Sequence, residues 1–157
     1  MANRCDDGSP DHETMRLALD EARAAIAHGD VPVGAVVVHA GEVIASRHNE
    51  RELTNDPVAH AEVLALRDAA VRLGSWRLDD CTMYVTLEPC AMCAGAMVNG
   101  RLGHLVYAAD DPKAGGVESV FSLLDGTHLN HRVEVERGPY AVEAGELLRE
   151  FFRERRA

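Results

Sequence analysis

The chain has 157 residues, of which 46% are hydrophobic and 27% charged, and its formal net charge is −10. That length suits one domain, and the composition excludes a disordered chain, a collagen-like repeat and a disulfide-dense mini-scaffold. The acidity argues against a protein that coats nucleic acid or anionic membrane non-specifically.

Residues 1–11 read as a loose, polar tail without the basic start and apolar run of a signal peptide, and residues 12–157 as a single domain. No apolar run is long enough to span a bilayer, so the expected compartment is the cytoplasm, where cysteines stay reduced. A helical pattern starts at Glu13, with Met15, Leu19, Ala22 and Ile26 three or four apart and Gly29 as its stop. Val33–His39, rich in β-branched valine, predicts a strand; Ala40-Gly41 is its turn and Glu42–Arg47 its return. Residues 48–58 are polar, end in Asp56-Pro57 and read as a loop. Ala59–Leu73 is predicted helical, Thr82–Leu87 a strand, Ala91–Val98 a helix opened by Pro89, and Leu102–Tyr107 a further strand. A short helix over Ser119–Leu124, an edge strand over Arg132–Glu136 and an amphipathic helix over Ala141–Arg155 complete the pattern. The alternation implies a three-layer α/β/α sandwich with a mixed five-stranded sheet covered on both faces.

Two segments carry the chemistry. His60-Ala61-Glu62 and Glu88-Pro89-Cys90-Ala91-Met92-Cys93 both stand at predicted helix starts. Cys90 and Cys93 share one helix face, and with His60 they supply three of the four tetrahedral positions that zinc prefers. Three protein ligands leave one position for water, whose pKa zinc lowers toward neutrality. Helix N-termini favour thiolates, and Glu62, two residues from His60, reaches that water without being a ligand. It is the expected general acid/base. A closed structural zinc site with Cys5, Cys81 or a further histidine as fourth ligand is the alternative, but it leaves Glu62 without a role. Cys81 reads as core packing, and the spacing of His128 and His131 lacks a flanking ligand.

His-x-Glu with Pro-Cys-x-x-Cys is the zinc deaminase signature. Beyond it, Val31–Val36, Asp56–Glu62, Trp76–Leu78, Thr86–Ala96, Asn130–Val133 and Phe151–Arg156 together resemble the bacterial tRNA-specific adenosine deaminase family, over roughly residues 13–156. The resemblance implies a cytidine-deaminase-like fold, one Zn²⁺ per subunit and a homodimer. It also implies hydrolysis of adenosine to inosine at the wobble position of a tRNA anticodon stem-loop. Carried over, His60, Cys90 and Cys93 are the zinc ligands and Glu62 the proton shuttle. Asn49 is the asparagine that contacts the target base. The Glu88 backbone carbonyl is placed to hold the exocyclic amine, and Val31, Pro32 and Val33 resemble the pocket wall.

The resemblance also implies that the loop with Asp110 and Asp111 lies along the RNA, with Asp111 accepting a ribose 2′-OH and Lys113 matching a lysine that can meet phosphate; an exposed loop acid and plain surface charge are the alternatives. Ala109 departs from the pattern, because some relatives carry arginine there. The last nine residues hold four arginines against two glutamates, in contrast to the acidic body. Phe152 with Arg153 is the expected stacking surface and phosphate clamp, one of the two adjacent phenylalanines packing in the core. The zinc motif alone also fits a free-base guanine or cytosine deaminase, and a non-catalytic zinc-stabilised RNA-binding module is the third reading. The apolar helix Ala91–Val98 needs cover on more than one side, which a partner subunit or the core can supply.

Overall fold

The computed structural model describes residues 10–156. The expected tail lies outside this range except for Pro10 and Asp11, which already belong to the first helix. α1 (Pro10–Ile26) thus opens three residues earlier than its apolar spacing predicts, with proline at the position where a missing N–H costs nothing. Met15, Ala18, Leu19, Ala22 and Ala25 form its buried stripe.

β1 (Gly34–His39) and β2 (Glu42–His48) form an antiparallel hairpin. Its turn is Ala40–Gly41, with φ of 50° and 79°. Two successive positive φ values match the right-handed twist of the flanking strands. The next segment, predicted as a loop, contains one helical turn, α2 (Arg51–Thr54). Its start is held by the Asp30 carboxylate, which accepts the N–H of Glu52 and Leu53 at 2.8 and 3.2 Å. α3 (Ala61–Leu73), β3 (Cys81–Leu87), α4 (Ala91–Asn99) and β4 (His104–Ala109) follow the sequence pattern closely. β5 (Glu134–Arg137) is a short edge strand, and α5 (Ala141–Arg156) closes the chain. The predicted helix over Ser119–Leu124 does not form; beyond Ser119 the segment has no regular secondary structure.

The sheet order is β2-β1-β3-β4-β5, antiparallel on the hairpin side and parallel from β3 to β5. The period-two alternation of the strands divides the core. Ala35, Val37, Met83, Val85, Leu105 and Tyr107 face α3 and α4. Val36, Tyr84, Val106 and Ala108 face α1 and α5. This is the expected mixed α/β/α sandwich. The loops that leave the C-terminal end of β3 and β4 emerge together, which places the Pro-Cys turn beside residues 110–119.

Gly34 sets how close α1 lies to the sheet. A β-carbon there would overlap the carbonyl of Ala18 and stand 2.8 Å from the Ala22 nitrogen. Both are helix backbone, so neither can turn aside. We expect Gly34→Ala to push α1 outward and lower stability by about 1–3 kcal/mol, the usual cost of overpacking. Urea unfolding checks this, and an unchanged midpoint contradicts it.

Candidate active site

His60 and Cys90 are the residues that immediately precede α3 and α4, each in extended backbone conformation. Two helix N-termini therefore converge on one point, and their partial positive charges favour anions there. His60 Nδ1 lies 3.6 Å from Cys90 Sγ and 3.5 Å from Cys93 Sγ. A tetrahedral ion with bonds of about 2.3 Å to sulfur and about 2.0–2.1 Å to nitrogen sets these separations at about 3.5–3.6 Å. The donor set and its spacing thus fit a zinc-type metal site.

The protons of this cluster are unevenly shared. The Cys90 thiol is pushed down to about 4, first by the hydrogen bond from Cys93 and then by His60, against the opposing effect of burial. Cys93 is correspondingly pushed up, because it donates that bond and is buried. Glu62, in the first turn of α3 and 4% exposed, is pushed up to about 7, chiefly by burial.

Asn49 is buried, and its side chain works as a strut. Its Oδ1 accepts the Ala61 N–H at 2.8 Å, and its Nδ2 donates to the Val31 carbonyl at 3.0 Å. One side chain thereby joins the start of α3 to the strand entry at Val31–Val33. A carboxamide has a second N–H and a second acceptor position, and these are what it has to offer a ligand.

Sequence reasoning assigned Glu88 only its carbonyl and missed its side chain. The Glu88 carboxylate is 1% exposed. It accepts N–H groups of Asp111, Val117, Glu118 and Ser119 at 2.9–3.2 Å, and the Ser119 hydroxyl. Residues 119–124 are not helical because their N–H groups bond out of helical register: Val120 and Phe121 both bind the Gly115 carbonyl, and Leu123 binds that of Gly116 where a helix would use Ser119. The loop then closes over the Pro-Cys turn, with Gly116 N–H on the Pro89 carbonyl at 2.7 Å. A β-carbon at Gly115 would overlap the Glu88 carboxylate, so glycine is required for this approach.

A groove of about 640 Å³ runs from Val31 and Leu87 past Asp111 and Lys113 to Arg149 and Phe152. Phe152 is 45% exposed, whereas Phe151 is buried in the core. Arg153 is exposed but does not line the groove. One residue after Phe152, it is turned about 100° around the helix, and Arg149, Arg155 and Arg156 take the place expected for it. Arg155 also binds the Gly29 carbonyl and lies over the Phe151 ring, which docks the end of α5 on the loop after α1. The Asp111 carboxylate accepts the N–H of Lys113 and Ala114 at 3.1 and 3.2 Å and so shapes its own loop. Asp110 is paired with Arg137 at 2.7 Å.

A family model described as MafB19-like deaminase matches residues 10–156. A tRNA-specific adenosine deaminase from Aquifex aeolicus is 49% identical over 142 residues, covering 90% of this chain and 93% of that protein. The chain belongs to the tRNA-specific adenosine deaminase family. A solved structure from work on A-to-I editing by tRNA:A34 deaminases at the wobble position of transfer RNA superposes with a TM-score of 0.79. It is 43% identical and covers 83% of this chain and 100% of that one. A guanine deaminase from Nitrosomonas europaea shares the fold at TM-score 0.78 and 28% identity, covering 91% of this chain and 84% of that one. The adenosine deaminase family and the cytidine-deaminase-like fold expected from the sequence motifs are both borne out.

Glu88 gives a pH prediction. Burial alone would raise its pKa, but the hydrogen bonds from Glu118, Ser119 and Asp111 outweigh burial and hold it near 2, against an ordinary value of 4.5. A depressed carboxylate contributes stability that is present above 4.5 and is lost as pH falls through 2. The contribution is on the order of 3 kcal/mol. We expect Glu88→Gln to be less stable than the parent at pH 7 and the gap to narrow between pH 4.5 and 2. Urea midpoints measured across that range test it, and a gap independent of pH contradicts it.

Proposed function

We propose that this chain hydrolyses adenosine to inosine and ammonia at the wobble position of a tRNA anticodon, using one Zn²⁺ per subunit held by His60, Cys90 and Cys93. What carries the reading is the juxtaposition of this ligand set, a buried carboxyl at Glu62 and a groove walled by arginine and an exposed phenylalanine. A bound zinc ion supplies Lewis acidity that makes water nucleophilic near neutral pH. Glu62 takes one proton of the attacking water and passes it to the ring nitrogen next to C6; it then takes the proton of the new C6 hydroxyl and delivers it to the amino group, which leaves as ammonia while the C6 carbonyl forms. A carboxyl poised near 7 can both accept and return a proton at neutral pH.

Asn49 presents its remaining N–H and lone pair to the base edge, and the Glu88 carbonyl receives the exocyclic amine. The anticodon loop is single-stranded, so turning one base into the pocket costs little. Phe152 offers its face to a neighbouring base, Asp111 accepts a ribose hydroxyl, and Lys113 and Arg149 meet phosphates. Arg153 is left as a contact to more distant backbone. The enzyme works in the cytoplasm as a homodimer, with the exposed Met92 side of α4 available to a second subunit. No helix among the described residues is long and apolar enough to cross a membrane.

The deciding assay offers an anticodon stem-loop with adenosine at the wobble position, beside guanine and cytosine, and scores inosine. We expect turnover of the stem-loop alone; turnover of a free base instead makes this a free-base deaminase. Glu62→Gln should lose about 10²–10⁴-fold in kcat while keeping its metal, as removal of a proton shuttle does. Retained activity contradicts the assignment, and metal analysis of the same sample distinguishes it from loss of the ion.

Phe151 anchors the core, so truncating the tail would disturb folding. Phe152→Ala is the cleaner probe of the groove. We expect it to weaken stem-loop binding by about 1–3 kcal/mol, the worth of one stacked base, at unchanged thermal stability. Unaltered binding would show that RNA does not use this wall.

A further inference from the structure

A second group of metal-binding side chains lies where α1 and β2 end. His28 Nε2 and His48 Nε2 face each other at 3.1 Å. The ring centroids are 5.1 Å apart with 29° between the planes, so the rings meet at their Nε2 edges and not face to face. The other nitrogen of each ring meets a carboxylate. His28 Nδ1 is 2.7 Å from Asp30 Oδ2, and His48 Nδ1 is 2.7 Å from Glu21 Oε2. An ionised carboxylate only accepts, so it draws the ring N–H onto Nδ1 and leaves the lone pair on Nε2. Two lone pairs then point toward one another, an arrangement that needs a cation between them.

That cation is a single proton or a metal ion, and the surroundings favour the metal. A histidine that ligates metal through one nitrogen commonly donates the other N–H to a carboxylate. Here the arrangement occurs twice, on opposite sides of one gap. Two imidazole nitrogens on one tetrahedral ion stand about 3.3 Å apart, close to the separation observed. The histidine side chains are 18% and 20% exposed, which gives an ion access and lets water complete its shell. Asp30 is held firmly: it is 2% exposed, and its carboxylate also accepts the two N–H groups at the start of α2. These bonds and His28 keep it below the usual carboxylate range despite burial.

We propose that His28 and His48 form a second site for a divalent metal that takes neutral imidazole, such as Zn²⁺ or Ni²⁺, with Asp30 and Glu21 as the outer partners that orient the rings. The ion would tie the end of α1 to β2 one residue before Asn49. Through Asp30 it would also steady the first turn of α2, on the segment that leads to His60. The site rests on its own residues and does not depend on the reading of the catalytic cluster.

The test is dialysis of the zinc-loaded protein against micromolar Zn²⁺, with metal counted by mass spectrometry. We expect the parent to hold one equivalent more than His28→Gln or His48→Gln, and His128→Gln to match the parent. Equal metal in all four proteins means that no ion is held there, and overturns the proposal. A second measurement uses the unmodified protein. Added Zn²⁺ should shift the imidazole NMR signals of His28 and His48 together; if both stay in place, there is no site.

Discussion

The buried Glu88 carboxylate holds the functional end of the molecule together. A charge that is 1% exposed is tolerable only when its acceptor positions are filled, and five donors from one loop fill them. Those bonds bend residues 111–119 around the strand-to-helix turn at Pro89. The bent loop lays Gly115 and Gly116 against Cys90 and Ala91. Cys90 is thereby fixed at the start of α4, and Cys93 one turn later. The same loop carries Asp111 and Lys113 to the groove. The His-Cys-Cys cluster and the groove wall thus share one support, and a fault at Glu88 disturbs both.

The His60-Cys90-Cys93 group that could hold a metal was legible because coordination chemistry demands particular residue types at short spacings, and both segments satisfy that locally. The strands were legible from alternation and the long helices from three-four spacing. Glu88 was not, because its partners are 23–31 residues away and a glutamate before Pro-Cys carries no local sign of burial. The Ser119–Leu124 helix was favoured by local spacing, but the Gly115 and Gly116 carbonyls, set in place by the loop around Glu88, take the N–H groups of Val120, Phe121 and Leu123 out of helical register. The α2 turn was hidden likewise, since Asp30 holds its start from 22 residues away. On α5 the composition announced a cationic, aromatic end, but only the helix phase decides that Phe152 and Arg149 share the groove while Arg153 does not.

The net charge of −10 and a proposed RNA substrate are compatible because charge acts locally. Several acids of the groove region are already committed. Asp110 is paired with Arg137, Glu118 also faces Arg137 at 3.3 Å, and Asp111 is tied to its own loop. Arg149, Arg155, Arg156 and Lys113 line the groove beside them. A short, screened positive stretch of this kind suits a footprint of a few phosphates and leaves selectivity to the pocket.

The cluster itself separates protons by environment. Glu62 and Cys90 lie in the same pocket at convergent helix N-termini, yet they shift in opposite directions. Glu62 is wholly enclosed, and loss of solvent raises it further than His60 and its own backbone N–H lower it. Cys90 is only half enclosed and receives a bond from Cys93, so it ionises readily. A helix dipole alone would lower both; burial lifts Glu62, and the hydrogen bonds with Cys93 and His60 lower Cys90 against its own burial. The outcome is a thiolate ready to ligate metal beside a carboxyl that still exchanges its proton near neutral pH. The proposed hydrolytic deamination needs that pair of properties at one place, and the fold brings them together by enclosing Glu62 while leaving Cys90 half-buried and hydrogen-bonded.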